Sequence, residues 1–154
     1  MEQETFDSAA FLDSVQNKSV EAKFVPVPEG DYPGAIKPNS ITITPVDFKD
    51  GNKGARFECM WALDGEVAGM ANASVRQRFL LDISGFGTSG PVLKTGTNQN
   101  IRLGKLIALS GQSPTGWSYR GLEAARGLVK VTHRPDKDDP EIVYAEVKAV
   151  APLN

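Results

Sequence analysis

Alternating apolar and polar residues mark several segments of the chain as β-strands. The clearest is residues 55–63, where Ala55, Phe57, Cys59, Trp61 and Leu63 alternate with polar or longer side chains. Successive side chains of a strand point to opposite faces, so this pattern predicts one buried face and one exposed face. Residues 127–134 and 142–150 alternate in the same way. There we expect the inward positions to be Val129, Val131, Val143, Ala145, Val147 and Ala149.

A further strand, residues 73–83, reads ASVRQRFLLDI and carries two arginines on one face. Arg76 and Arg78 are two positions apart, which places them about 7 Å from each other along a strand. Two like charges this close repel unless an anion lies over them. Gln77 is a polar residue in the set predicted to face inward, so the facing of this strand stays open, although the arginines share a face either way.

The remaining elements are one more strand and two helices. Residues 31–44 read as a long strand with a bend near Pro38 and Asn39. Residues 98–112 have apolar side chains at helical spacing, with Asn98 or Asn100 as the cap and Gly111 as the end. Residues 5–17 predict a short N-terminal helix.

The order of these elements is three strands, a helix and two strands. This is the order of an OB-fold, a five-stranded Greek-key barrel with a helix between strands 3 and 4. We therefore expect a mainly β protein with an OB-fold-like barrel and a short N-terminal helix, although other small barrels and α+β sandwiches share this order. Residues 1–28 are predicted to be an acidic helix and a proline-containing linker, and residues 29–154 the OB-fold-like domain.

The net charge of −2 conceals a segregation of charge along the chain. Residues 1–31 carry seven acidic and two basic residues, residues 32–134 carry seven acidic and thirteen basic residues, and residues 135–154 carry five acidic and two basic residues. A basic middle thus lies between acidic ends. Such a distribution is compatible with an anionic partner, although a solubilising surface would also produce it.

The groups that enzymes use are scarce in this sequence. The single histidine, His133, is expected to be an exposed residue at a strand end, and Cys59 is expected to be an inert core thiol. Residues 85–90 match G-x-G-x-x-G, but Pro91 and a further loop follow instead of a helix, so we expect a flexible loop. The acidic residues 136–141 lack a calcium-loop spacing and predict a solvated turn. We therefore expect no enzymatic activity, no cofactor and no metal. The lack of a signal peptide or an apolar span predicts a cytoplasmic protein.

The predicted outer faces carry basic and aromatic side chains. An OB-fold binds nucleic acid on one face of strands 2 and 3 and at the loops between strands 1 and 2 and strands 4 and 5. Arginine pairs with phosphates and stacks on bases, and aromatic rings stack on bases. The candidate DNA-binding residues are Arg56, Arg76, Arg78, Lys130, Tyr144, Phe48, Lys49, Lys53, Phe86 and Arg134.

Several stretches resemble a group of small bacteriophage proteins over about residues 29–152. They are PEGDYPGAI, FECMWALDG, IRLGKLIALSGQ, GLEAARGLVKV and VYAEVKAVAP. That group consists of single-stranded DNA-binding proteins with OB-like folds, encoded among replication and recombination functions. The resemblance implies sequence-tolerant coating of single-stranded DNA, in the host cytoplasm, in cooperation with a phage recombinase, nuclease or polymerase.

Two further expectations follow from the resemblance and from the charges. Many such binders end in an acidic tail, whereas this chain ends VKAVAPLN, so the acidic residues 1–31 are a candidate for the same role. The alternative function is a phage protein-interaction or adaptor module that binds no nucleic acid. Pairing of strand edges could produce a homodimer, but nothing in the sequence requires it.

Overall fold

The computed structural model describes residues 5–19, 25–48, 53–65, 72–85 and 90–153. Within these residues the protein is mainly β, as predicted. The strands are β1 (Gly30–Ile36), β2 (Thr42–Asp47), β3 (Lys53–Leu63), β4 (Ser74–Leu81), β5 (Ile83–Ser84), β6 (Val92–Leu93), β7 (Arg126–Pro135) and β8 (Val143–Ala151). The helices are α1 (Ser8–Leu12), α2 (Ile101–Leu109) and a 3-10 helix at Arg120–Ala124.

Five strands pair in a closed circuit. β1 pairs antiparallel with both β3 and β7, β7 pairs antiparallel with β8, β8 pairs parallel with β4, and β4 pairs antiparallel with β3. β2 pairs with the first half of β3, while β1 pairs with its last residues. The predicted long strand is therefore divided into β1 and β2. The bend lies where predicted, at residues 37–41, and Asn39 there adopts a φ of 60°.

The core lies on the inward faces of these strands. The alternation predicted for residues 55–63 is confirmed, because Ala55, Phe57, Cys59, Trp61 and Leu63 are all buried. Val75, Phe79 and Leu81 of β4 and Val129 and Val131 of β7 are also buried. The rings of Phe57 and Phe79 stack with centroids 4.8 Å apart, which joins β3 to β4 across the core. On its opposite side the core is closed by the apolar stripe of α2, formed by Leu103, Leu106 and Ile107.

Gln77 faces the core, which settles the facing of β4. Its side-chain Oε1 accepts a hydrogen bond of 2.8 Å from Nε1 of Trp61 and lies 3.8 Å from Sγ of Cys59. A buried polar group is tolerated when its hydrogen bonds are made, and the indole N–H needs an acceptor for the same reason. Arg76 and Arg78 therefore point outward.

We expect Gln77→Leu to lower the free energy of unfolding by about 1–3 kcal/mol, since it leaves the buried indole N–H of Trp61 without an acceptor. Urea unfolding followed by circular dichroism measures this change. A double-mutant cycle with Trp61→Phe isolates the hydrogen bond, because the double variant removes both partners. A Gln77→Leu variant as stable as the unmodified protein would contradict the prediction.

Cys59 is a core thiol, as predicted. It is buried between Phe57 and Trp61 on the inward face of β3. Burial raises the pKa of the thiol to about 12, and a side-chain hydrogen bond with Trp61 opposes this rise. The reactive thiolate is therefore scarce at neutral pH.

The predicted facing of β8 is wrong at its end. Ala145 and Val147 pack against the core as expected, but Ala149 is exposed and Val150 is buried in its place. The cause is a register shift: Lys130 of β7 pairs with Ala149 and the next residue pairs with Val147, so Lys148 has no partner. An extra residue of this kind is a β-bulge, which reverses the alternation beyond it.

Asn100 precedes α2, but its side chain does not cap the helix. The side chain accepts a hydrogen bond from the backbone of Asp82 and donates to the carbonyls of Asp82 and Lys94, so it ties the end of β4 to the loop before the helix. Gly111 ends the helix as predicted, with a φ of 79° that suits a residue without a Cβ.

Residues 25–28, here called the strap, lie against the domain just before β1. The carbonyl of Val27 lies 2.7 Å from Nε2 of His133, the carbonyl of Pro28 accepts from the hydroxyl of Tyr32, and Val27 is buried. His133 is thus half-buried and bonded, so the prediction of an exposed strand-end histidine is wrong. The strap is held in place as part of the domain surface.

Helix α1 contrasts with the strap, since none of its residues is buried. Asp7 caps it by accepting a hydrogen bond from the backbone N–H of Ala10, a role that aspartate often has at the start of a helix. Phe11 and Leu12 are exposed, and Phe6 contacts only Phe11 among the aromatic pairs of the described chain. No helix in the described residues has the length and hydrophobicity to cross a membrane.

Candidate nucleic-acid interface

The two arginines of β4 lie on an exposed face that β4 forms with β3 and β8. Arg76 stands opposite Met60 of β3 on one side and Glu146 of β8 on the other, and Arg78 stands opposite Glu58 of β3. Tyr144 and Lys148 lie two positions before and after Glu146 on β8, so the three side chains share one side of the sheet. The inward positions Val75, Gln77 and Phe79 anchor the strand, which fixes the direction of both arginines.

A first concavity of about 740 Å³, here called the strap groove, has this face as its floor. The strap forms part of its wall through Val25 and Pro26, and the loop between β7 and β8 forms another part. Its charged and aromatic lining consists of Arg76, Arg78, Arg134, Asp136, Lys137, Asp138, Tyr144 and Glu146. Four of the ten candidate residues therefore meet in one groove: Arg76, Arg78, Arg134 and Tyr144.

A second concavity of about 490 Å³, here called the helix cleft, adjoins the strap groove. The two share Arg78, Arg134 and Glu146. The helix cleft adds Arg102 from α2 and Lys148 from the bulge of β8. Its charged lining thus has four basic side chains and one acidic side chain.

Arg102 and Lys148 are absent from the sequence-based candidates. Arg102 is exposed and flanks the buried stripe of Leu103, Leu106 and Ile107 on α2. The helical pattern predicts that Arg102 is exposed, but it does not predict that α2 lies close to β8. Lys148 was recognised as outward, yet only the pairing of β8 with β4 places it beside Arg78.

Arg76 and Arg78 are not in close contact with an acidic side chain in the described chain. Within the described ranges, neither side chain forms an ion pair or a hydrogen bond, although Glu58 and Glu146 stand opposite them in the sheet. Arg134 differs, because its Nε donates to Glu146 at 3.2 Å. The groove therefore presents two available guanidinium groups beside one that is already paired.

Tyr144 is held by contacts at both ends of its side chain. Its hydroxyl donates to Oδ2 of Asp136 at 2.8 Å, and the guanidinium of Arg134 lies 5.8 Å from the centre of its ring. The backbone N–H of Asp138, the hydroxyl of Tyr144 and the N–H of Asp139 lower the pKa of Asp136. The hydrogen bond to Asp136 and the charge of that carboxylate raise the pKa of Tyr144. The ring, 40% exposed, is thus oriented before any ligand arrives.

The other candidate residues lie outside the two concavities or outside the described residues. Arg56 lies on the same face of β3 as Met60, beside Leu80 of β4, and Lys130 is exposed farther along β7; neither lines a groove. Phe48 is half-buried, and its ring packs over Gly54, where an added Cβ would come within 2.9 Å of it. Lys53 begins β3, but its side chain is outside the described residues, as are Lys49 and Phe86.

Two further observations concern the wider surface. Trp117 and Tyr119 are half-buried and contact each other edge to face against the core. Among the described residues, no group of three or more His, Cys, Asp or Glu side chains is placed to hold a metal ion.

The comparison of this chain with protein-family models and with curated proteins found no match.

Proposed function

We propose that this protein binds single-stranded DNA with little sequence preference, through the strap groove and the helix cleft. The observation that carries the proposal is the pair Arg76 and Arg78, which line the strap groove without an acidic partner in the described chain. Phosphate is the natural ligand of such guanidinium groups, because arginine donates to two phosphate oxygens at once.

The pairing of the strands supports an OB-fold-like barrel as the scaffold. If β1 and β2 count as one bent strand, then β3, β4, β7 and β8 are strands 2 to 5, and α2 lies in the chain between strands 3 and 4. The arginine pair then belongs to strand 3, and the loop that lines the strap groove joins strands 4 and 5. These are the regions through which OB-folds bind nucleic acid.

The shape and chemistry of the grooves favour an unpaired strand. Stacking on an exposed tyrosine requires a base that is not already stacked in a duplex, and Tyr144 offers a pre-oriented ring. Contacts to phosphates and ring faces are shared by all nucleotides, which accounts for sequence tolerance. Together with the resemblance to phage proteins, this supports a role in phage DNA replication and recombination beside a recombinase, nuclease or polymerase.

Fluorescence anisotropy with labelled oligo-dT at two salt concentrations tests the proposal. Phosphate contacts release counterions, so we expect binding to weaken with salt, with a log–log slope of about −0.7 per contacted phosphate. An oligo-dT that causes no change in anisotropy at low salt would refute DNA binding.

Removal of residues 1–24 is expected to tighten binding to oligo-dT at low salt. These residues carry five acidic and two basic side chains, and they join the domain at Val25, which lines the strap groove. An acidic segment attached there competes with DNA for the same basic groups. The deletion stops before the strap, because Val27 is buried and bonded to His133.

The full-length Asp7→Asn/Asp13→Asn variant is the control for the effect of charge, since asparagine also caps a helix. It should bind with an affinity between those of the intact and shortened proteins. A shortened protein with equal or lower affinity than the intact one would show that the acidic segment does not compete with DNA.

A protein-interaction module is the second candidate function, and α1 is the observation that favours it. Phe6, Phe11, Leu12 and Val15 are all more than half exposed, and no residue of α1 is buried. Exposed apolar side chains at helical spacing are typical of segments that dock on a partner. A pull-down with the intact protein and with the protein lacking residues 1–24 distinguishes this function, provided that oligonucleotides do not bind.

A further inference from the structure

The strap groove and the helix cleft differ in what their linings can recognise. Apart from the residues that they share, the helix cleft adds Arg102 and Lys148, which are both basic. The strap groove adds apolar surface, the basic side chains of Arg76 and Lys137, and the acidic side chains of Asp136 and Asp138. A polyanion that crosses both concavities would meet side chains that bind phosphate in the helix cleft and a mixed surface in the strap groove.

The apolar part of the strap groove suits a flat ring. Val25, Pro26 and Met60 line it together with the ring of Tyr144. These groups offer nothing to a phosphate, which is strongly hydrated, but they can cover the face of a nucleobase. The volume of about 740 Å³ is large enough to admit a nucleotide.

The acidic side chains of the strap groove differ in whether their oxygens are already occupied. Asp136 accepts hydrogen bonds from two backbone N–H groups and from Tyr144, and Glu146 is paired with Arg134. Asp138 also lines the groove, and in the described chain its carboxylate has no hydrogen-bond or ion-pair partner.

A carboxylate constrains which base can lie beside it, because it only accepts hydrogen bonds. It repels phosphate and the carbonyl oxygens of thymine, but it accepts from an exocyclic amino group such as N4 of cytosine. Guanidinium groups and a carboxylate in one groove therefore complement a base that carries both acceptors and an amino donor.

We infer that the strap groove receives one unstacked base, while the neighbouring phosphates lie over Arg78 and the helix cleft, and that Asp138 favours bases with an exocyclic amino group over thymine. The inference rests on the proposed function and adds a modest base preference to it. It assigns Asp138 as a specificity residue.

Anisotropy titrations with oligo-dC and oligo-dT of equal length, at neutral pH and equal salt, test the inference. The two pyrimidines have rings of the same size, so the comparison isolates the amino group from stacking area. We expect the unmodified protein to bind oligo-dC about threefold or more tighter than oligo-dT. In Asp138→Ala this ratio should fall towards one.

Asp139→Asn is the matched control. It removes one negative charge from the adjacent position, which does not line the groove, and it keeps the Oδ1 acceptor that bonds the N–H of Glu141. It should tighten the binding of both oligonucleotides by the same factor and leave the ratio of the two affinities unchanged. An unmodified protein that binds oligo-dT as tightly as oligo-dC, or an Asp138→Ala variant with an unchanged ratio, would overturn the inference alone. Failure of both oligonucleotides to bind would overturn the proposed function.

Discussion

The Arg76→Ala/Arg78→Ala variant should bind oligo-dT at least about tenfold more weakly than the unmodified protein, because two phosphate contacts are lost. Arg76 lines the strap groove, and Arg78 lines both concavities. The log–log salt dependence should also become shallower by about 1.4, at about 0.7 for each contact removed. Both quantities come from anisotropy titrations over a series of salt concentrations.

The variant should stay folded, which separates binding from stability. Both side chains point outward, and within the described ranges neither is hydrogen-bonded or ion-paired. The alternate positions that hold β4 in the core, Val75, Gln77, Phe79 and Leu81, are unchanged. Substitutions at surface sites of this kind usually change the free energy of unfolding by less than about 0.5 kcal/mol.

Arg120→Ala/Arg126→Ala is the charge-matched control for the arginine pair. It also removes two positive charges, but neither residue lines the strap groove or the helix cleft. Arg126 lies at the start of β7, far from Arg134 near the end of that strand, and forms an ion pair with Asp64. We expect it to weaken binding far less. Equal losses in the two double variants would mean that net charge, and not the arginine pair, determines affinity.

Tyr144→Ala should weaken oligo-dT binding by about tenfold or more, since it removes the ring on which a base can stack. The ring is oriented by Asp136 and Arg134 before binding, so little side-chain freedom is lost when a base arrives. Tyr144 is exposed, and its removal should leave the unfolding curve nearly unchanged.

Tyr144→Phe tests whether the ring or its orientation matters. It keeps the aromatic face but loses the hydrogen bond to Asp136, so we expect a loss of affinity smaller than that of Tyr144→Ala. If alanine and phenylalanine are both neutral, Tyr144 does not contact a base. If they are equally harmful, the hydroxyl contact with Asp136 is the important feature.

Sequence periodicity predicted most of the strand faces correctly, because the pleat of a strand imposes a strict period of two. The inward set of β3 is an example, and so is the shared face of Arg76 and Arg78, whose outward direction was decided by the burial of Gln77. Gln77 seemed to break the pattern, but its partner Trp61 is sixteen residues away in the chain and lies diagonally across the β3–β4 pair. No local sequence pattern shows that the amide of Gln77 accepts a hydrogen bond from a buried indole N–H.

Periodicity failed where one residue changed the register. The bulge at Lys148 exposes Ala149 and buries Val150, and its position depends on how β8 pairs with β7. Asn100 was misjudged for a related reason, since its side chain bonds Asp82 and Lys94 instead of the helix. The role of His133 depends on the strap, whose carbonyl reaches it from 106 residues away.

The sequence by itself determined the strand content, most of the buried faces and the placement of the two arginines on one face, because these follow from local geometry and hydrophobic burial. Only the tertiary structure decided which outward residues share a groove. Parallel pairing of β4 with β8 brings Tyr144 and Lys148 beside the arginines, packing of α2 adds Arg102, and the strap closes the wall. These neighbours are distant along the chain, and their proximity is set by strand pairing and core packing, which no local stretch of sequence encodes.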